Sequence, residues 1–387
     1  MSGSSTCNST NGPSSTGGCV FYDVTIGDND VPCVADGTQT TLYECYRPTP
    51  QFTYGVLSIS NGSYAPTYKA GVGWDFATGI GTVNVANLVG KWSANYAGTH
   101  DFDSGGKSDI LFRNTSGTVG VWLMNGGSVS SSGLTATVAN TWAIIGQRDF
   151  NGDSKADLLW RDSSGNLAMW FMNGLTVSST ASLGNVSPAV WTVYGTSDMN
   201  GDGMGDILWR DTSGNVAIWF MNGSTISSTE ALGMVSPSTW SIVGSTTGAI
   251  IWRDTSGNLA LWRVNGATVQ STNLGTVPSN WVVKGVGDFN GDGNLDLLFR
   301  DSTSGTVAMW FFNSSGTVQS TATVGTVSNT WTILDTGDYN GDGRSDILWT
   351  DASDNLAIWL MLGSTVASSA SIGNVGATWT VQSANAE

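Results

Sequence analysis

The sequence predicts an all-β chain: a ring of six four-stranded blades plus one extra strand, preceded by a small disulfide-bonded segment. Three observations carry this. From Trp92 onward the chain repeats itself, and each repeat holds four short runs rich in Val, Ile, Thr and aromatic residues. Gly, Asn, Ser and Asp punctuate those runs, and almost no helix-period patterning interrupts them. All four cysteines, Cys7, Cys19, Cys33 and Cys45, lie before the repeats begin. The expected domains are therefore residues 1–91 and 92–387.

Each repeat opens on W-x-I-V-G, continues through an acidic loop to I-L-W-R-D, turns at T-S-G-N, and runs on through V-A-I-W-F-M-N-G. Four strands in a unit of roughly 40–50 residues is the signature of a β-propeller blade. The acidic loops begin at Asp101, Asp149, Asp198, Asp288 and Asp338, separated by 48, 49, 90 and 50 residues. The interval of 90 residues hides a unit whose loop is lost, visible as Trp240 to Gly244, a shortened Ser245-Thr-Thr-Gly-Ala, then Ile250-Ile-Trp-Arg-Asp. Six units run from Trp92 to Gly373, and a seventh first strand, Trp379-Thr-Val-Gln, ends the repeats. A six-bladed ring with an overlapping strand is the preferred closure, and a seven-bladed ring is the alternative. If the seventh strand is left open, its edge could pair with a second subunit, making oligomers or a self-assembling extracellular structure.

Tryptophan falls in register through the repeats. Trp92, Trp142, Trp191, Trp240, Trp281, Trp331 and Trp379 open first strands, while Trp160, Trp209, Trp252 and Trp349 end second strands. Third strands hold Trp122, Trp170, Trp219, Trp262, Trp310 and Trp359. A ring in every blade is expected to fill the space between blades, and any that face solvent could stack on sugars. The Arg-Asp pair that follows second strands, as at Arg161-Asp162, is expected to stabilise the turn.

The acidic loops point to calcium. Asp149, Asn151, Asp153 and Asp157 place oxygen side chains at loop positions 1, 3, 5 and 9, and Lys155 can add its backbone carbonyl at position 7. The pattern recurs as Asp198, Asn200, Asp202, Met204 and Asp206, as Asp288, Asn290, Asp292, Asn294 and Asp296, and as Asp338, Asn340, Asp342, Arg344 and Asp346. Hard oxygen ligands on a tight glycine turn suit Ca²⁺, whereas the sulfur and imidazole that zinc prefers are absent. The first loop is poorer, with Asp101, Asp103 and Asp109 but Gly105 at position 5. No bidentate Glu stands at position 12, and strands flank the loops, both of which argue against an EF-hand. About four to six Ca²⁺ ions are expected in all.

This part of the chain, from Trp92 to about Ser383, resembles the FG-GAP (VCBS) repeat family known from integrin alpha subunits and secreted bacterial proteins. The resemblance implies that each loop joins the first and second strands of a blade and binds calcium structurally.

The first ninety residues carry two further segments, Phe21-Tyr-Asp-Val-Thr-Ile-Gly and Ala70-Gly-Val-Gly-Trp-Asp-Phe-Ala-Thr-Gly-Ile-Gly. Together they resemble the C-terminal calcium-binding region of sedolisin (kumamolisin-type) serine peptidases. That resemblance implies a further ion held by the Asp23 and Asp75 side chains and the Val24, Gly71 and Gly73 carbonyls. It also implies a short helix from Asn84 to Trp92. The S-G-T-S motif of the Ser-Glu-Asp triad is missing, so no catalytic residue is expected and the chain should not cleave peptides. A fragment of a longer secreted peptidase, with the propeller docking substrate, is one reading; a short protein that keeps the segment as a cap is its rival.

Composition narrows the partners. With 30 Asp and Glu against 14 Lys and Arg, the formal charge is −16. That balance argues against nucleic acid and against anionic membranes. No apolar run approaches the roughly 20 residues of a bilayer span, and Met1 to Gly18 lack a signal-peptide pattern. Closely spaced cysteines without histidine read as disulfides, locally paired as Cys7–Cys19 and Cys33–Cys45 among three connectivities, and so as an extracellular setting. One histidine, His100, and no propeller cysteine leave little for acid–base or thiol chemistry; His100 is expected at a surface turn. The leading expectation is a secreted, non-catalytic binding or adhesion module whose ligand is a glycan or an extracellular protein.

Overall fold

Alternation of apolar and polar residues, cut by Gly- and Asn-bearing turns, is what a half-buried antiparallel strand requires, and the chain forms such strands throughout. A computed structural model of the protein describes residues 21–22, 32–34, 44–46, 54–58, 82–83 and 99–383. Among these residues every regular element is a strand. The chain divides into two compact units, Met1–Trp92 and Ser93–Glu387.

In the first unit, Tyr54–Ser58 is the centre of a three-stranded antiparallel sheet between Pro32–Val34 and Glu44–Tyr46. Cys33 opposes Gly55 and Cys45 opposes Leu57, so the two lie on the two outer strands. A separate antiparallel pair joins Phe21–Tyr22 to Thr82–Val83. Cys7, Cys19, Asp23, Val24, Gly71, Gly73, Asp75 and the stretch from Asn84 to Trp92 lie outside the described residues, as do the side chains of Cys33 and Cys45.

The second unit is a six-bladed propeller of four-stranded antiparallel sheets. Blade two shows the plan: Trp142–Arg148, Asp157–Asp162, Asn166–Asn173 and Thr176–Asn185, in spatial order from first strand to fourth. Blade three begins at Trp191, blade four at Trp240, blade five at Trp281 and blade six at Trp331. Blade one is assembled from both ends of the unit. Its second, third and fourth strands are Ile110–Asn114, Thr118–Met124 and Val129–Thr137, and its first is Trp379–Val381. The overlapping strand thus closes a six-bladed ring, taking the place that the sequence pattern assigns to Trp92. It is paired with Phe112–Asn114 and takes the first-strand place in that blade.

One cluster of buried apolar side chains lies at each of the six blade junctions. The second-strand tryptophans are their largest members, and Trp160, Trp209, Trp252 and Trp349 are all buried. Phe112 and Phe299 take the same place in blades one and five. Each packs on the third-strand tryptophan of its own blade, as Trp209 does on Trp219 with centroids 5.1 Å apart. The glycine of W-x-I-V-G marks the close approach of neighbouring first strands. A Cβ on Gly146 would sit 2.3 Å from Thr196 Cγ2, and one on Gly195 would sit 2.0 Å from Ser245 Oγ.

The Arg-Asp pairs divide their labour. Asp162 Oδ1 accepts from the Ser164 and Asn166 amides, an Asx turn that closes the hairpin as expected. Arginine instead reaches the next blade. Arg210 donates to Trp240 O at 2.8 Å and Val235 O at 2.9 Å, and its guanidinium lies over Trp252. Arg113, Arg161 and Arg300 make equivalent cation–π contacts with Trp160, Trp209 and Trp349. Blade six has Thr350 at this position, so the junction that closes the ring has no such clamp.

Candidate functional site

Four of the five acidic loops join the first and second strands of their blades, and loop one runs into the second strand of blade one; these loops lie on the same face of the ring as the hairpins between third and fourth strands. They share one backbone path. Positions 4 and 6 take positive φ in every loop, with glycine at most of them, for example Gly201 at 80° and Gly203 at 87°. Loop one keeps this path with Ser104 at 64°, and loop two with Ser154 at 66°. The N-G-D-G letters are therefore a conformational requirement, because left-handed backbone suits glycine.

That path turns amide hydrogens toward the position-1 carboxylate. Asp149 Oδ1 accepts from Gly152 at 2.7 Å and Oδ2 from Ser154 at 2.7 Å. Asp198, Asp288 and Asp338 are held in the same way. The position-9 carboxylate ties the loop to the third strand: Asp157 accepts from Phe150 N at 3.1 Å and Met172 N at 2.9 Å. Asp109, Asp206, Asp296 and Asp346 repeat both bonds. A carboxylate has about four acceptor sites, so the position-9 aspartates, with these two bonds each, keep lone pairs for a cation.

Electrostatics favour one. Burial pushes the carboxyls of Asp109, Asp157 and Asp346 up to about 8, Asp206 and Asp296 to about 7, and Asp101 and Asp338 to about 6; neighbouring aspartates add to each. Among the described residues, the ion pairs at these loops reach only the partly exposed position-5 groups, Lys155 with Asp153 at 3.8 Å and Arg344 with Asp342 at 3.7 Å. The buried carboxylates have no counter-cation of their own, and a divalent ion between positions 1, 3, 5 and 9 would supply it.

Loop one departs from its expected rank. Asp101, Asp103 and Asp109 each bring an oxygen within 4.8 Å of the others, and among the described residues no other group of three acids converges this closely. Asn151, Asn200, Asn290 and Asn340 stand where loop one has Asp103, so the other loops have one carboxylate fewer at position 3. His100, beside this loop, is a correction. It is 1% exposed, not at the surface, with Nδ1 3.8 Å from Asp335 Oδ2 in blade six. Ring closure buries it.

Successive loops are hydrogen-bonded around the ring. The position-8 amide of one loop donates to the position-1 carbonyl of the loop before it: Ala156 to Asp101, Gly205 to Asp149, Ser345 to Asp288 and Ser108 to Asp338. Gly248 of loop-less blade four still reaches Asp198 O, at 3.2 Å. Among the described residues the chain is interrupted between blades four and five.

Residues 288–349 match the FG-GAP-like repeat family. The FG-GAP-like span covers the acidic loops of blades five and six and the strands between them. Curated proteins show no sequence match to the chain. Among solved structures, one similar chain belongs to the crystal structure of Kap60 bound to yeast RCC1 (Prp20), with 11% identity and a TM-score of 0.38, covering 71% of this chain and 78% of that one. The C-terminal WD40 domain of Sif2 has 13% identity and a TM-score of 0.35, over 69% and 70%. A chain of the Photorhabdus luminescens Tc holotoxin pore has 15% identity and a TM-score of 0.43, covering 74% of this chain and 13% of that one.

Grooves beside the tryptophans form a second candidate site. In blade three, half-buried Trp191 and Trp219 flank Ala217, with Asn185, Thr229 and Glu230 at the rim of a cavity of about 460 Å³. Blade six builds the same groove from Trp331, Trp359, Ala357 and Ser369, about 410 Å³. Blade one builds it from Trp379, Trp122, Gly120, Ser132 and Asn374, about 270 Å³. The second-strand tryptophans are core, as expected, but the first- and third-strand rings are only half-buried.

Proposed function

We propose that the chain is a secreted, calcium-loaded propeller that binds glycans, each sugar ring held between the two half-buried tryptophans of a groove. The observation that carries this reading is the recurrence of one groove, at equivalent residues, in blades one, three and six. Aromatic walls, a floor of Ala or Gly and a rim of hydroxyl and amide groups combine apolar contact with orienting hydrogen bonds, which is what a small polar ring needs. Several weak sites on one rigid ring would engage a polysaccharide together, so avidity would exceed the affinity of any one groove. The converging loop carboxylates support calcium as the resident ion, and the cysteine framework supports an oxidising, extracellular setting.

Glycan-array binding with calcium-loaded protein tests the reading. Binding to a defined set of glycans is expected, and Trp219→Ala combined with Trp359→Ala should weaken it about tenfold or more. Silence across the array would remove the glycan assignment. Unchanged binding by the double variant would remove the grooves.

A further inference from the structure

Where the ring of loops is interrupted, blade four carries a cation. Its third strand reads Leu261-Trp262-Arg263-Val264, and Arg263 stands where the other blades have Leu123, Phe171, Phe220, Phe311 and Leu360. Five apolar residues and one arginine at a single structural position call for an explanation. The position lies on the calcium-loop face, beside the shortened turn Thr246-Thr247-Gly248 that replaces an acidic loop.

The guanidinium is unanswered. Among the described residues it makes no hydrogen bond or ion pair, and its Nε is buried without a partner. Arginine carries five donors, and here the buried Nε is left without a partner, which costs free energy that an acceptor would recover. Packing holds it in place: a Cβ on Gly316, in the third-to-fourth-strand hairpin of blade five, would lie 2.7 Å from Arg263 Nε. With Thr246, Thr247, Gly248, Gly293 and Asn294 it lines a cavity of about 70 Å³. That is roughly twice the volume a water molecule occupies, the size class of a carboxylate or sulfate group. The side chains around it suit an anion, since the two threonines can donate. The nearby Asp292 carboxylate is turned to Asn294, whose Nδ2 donates to it at 2.8 Å.

We propose that this pocket binds an oxyanion, with the Arg263 guanidinium as its fork and the Thr246 and Thr247 hydroxyls as further donors. The same chemistry could come from a free inorganic anion or from the acid group of a larger ligand such as a sulfated sugar. The inference does not rest on the tryptophan grooves or on the glycan reading.

Titration calorimetry of the full chain at millimolar calcium and constant ionic strength tests it, with sodium sulfate and galactose 6-sulfate as probes. Wild-type protein is expected to bind both, and Arg263→Leu should bind about tenfold more weakly or not at all, since charge-assisted hydrogen bonds are lost. Arg263→Leu should fold, because Leu123 and Leu360 occupy the equivalent position. Arg263→Lys, a point charge without the fork, should fall between the two. Tighter binding of the sulfated sugar than of sulfate identifies the anion as part of a larger ligand; equal binding identifies the free ion. No sulfate heat from wild-type protein, or the same heat from Arg263→Leu, would overturn the proposal. Sulfate that raises the melting temperature of both proteins equally is a general salt effect and also counts against it.

Discussion

Arg210 of blade three lies over the indole of Trp252 in blade four, its guanidinium carbon 5.0 Å from the ring centroid. With its bonds to the Trp240 and Val235 carbonyls, one side chain holds the next blade by its first strand, its linker and its core. Arg210→Ala should therefore cost about 2 to 4 kcal/mol, from charge-assisted hydrogen bonds and a desolvated cation–π contact. Urea unfolding measures this, and a loss below about 0.5 kcal/mol would contradict it. Thr350→Arg should add the missing clamp at the blade six–blade one junction, over Phe112, and raise the unfolding midpoint.

Calcium and pH should act together on stability. The loop carboxyls have folded-state pKa values raised to about 6 to 8, above the unfolded carboxylate value. The folded, metal-free protein then holds protons more tightly than the unfolded chain. The stability these loop carboxyls contribute is complete below about pH 4 and is lost as pH rises through about 8. Calcium competes with those protons, so the loaded protein should keep its melting temperature over the same range. Melting curves in excess chelator and in millimolar calcium, from pH 4.5 to 8, make the comparison. Coincident curves would remove the metal from the loops.

Loop one should hold an ion despite its poorer sequence. Asp103→Asn removes one of three converging carboxylates at an exposed position and leaves the core bonds of Asp109 intact. The bound-calcium stoichiometry, read by elemental analysis after desalting, should fall by about one ion while the fold is kept. An unchanged stoichiometry would place the ions in the other loops alone.

Removing the closing strand should open the ring. Truncation after Gly376 exposes the edge of Ile110–Asn114, which Trp379–Val381 otherwise covers. Light scattering should then report larger oligomers or aggregates than it does for the full chain.

Much of this was legible because each blade repeats the same local instructions. Six copies of the strand and turn pattern fix the blade, and the in-phase loops fix their place between first and second strands. What sequence could not resolve were relations between distant residues. Trp92 and Trp379 both carry the first-strand signal, and only closure of the ring decides that Trp379 lies beside Asn114. His100 looks like a turn residue until blade six, over two hundred residues later, covers it. Loop one lost a ligand letter yet kept its winding, since Ser104 accepts a backbone shape usually left to glycine. Arg263 passes for a lone substitution in a strand until the absent loop beside it is seen.

The closing strand also sets a timetable. Blades two to six can each complete a sheet soon after their own residues emerge from the ribosome. Blade one cannot: Ile110–Asn114 must wait for Trp379–Val381. At ordinary synthesis rates that wait is on the order of tens of seconds. The earliest-made blade is thus the last to be finished, and for most of its synthesis the molecule carries a strand edge that any neighbouring nascent chain could cover first.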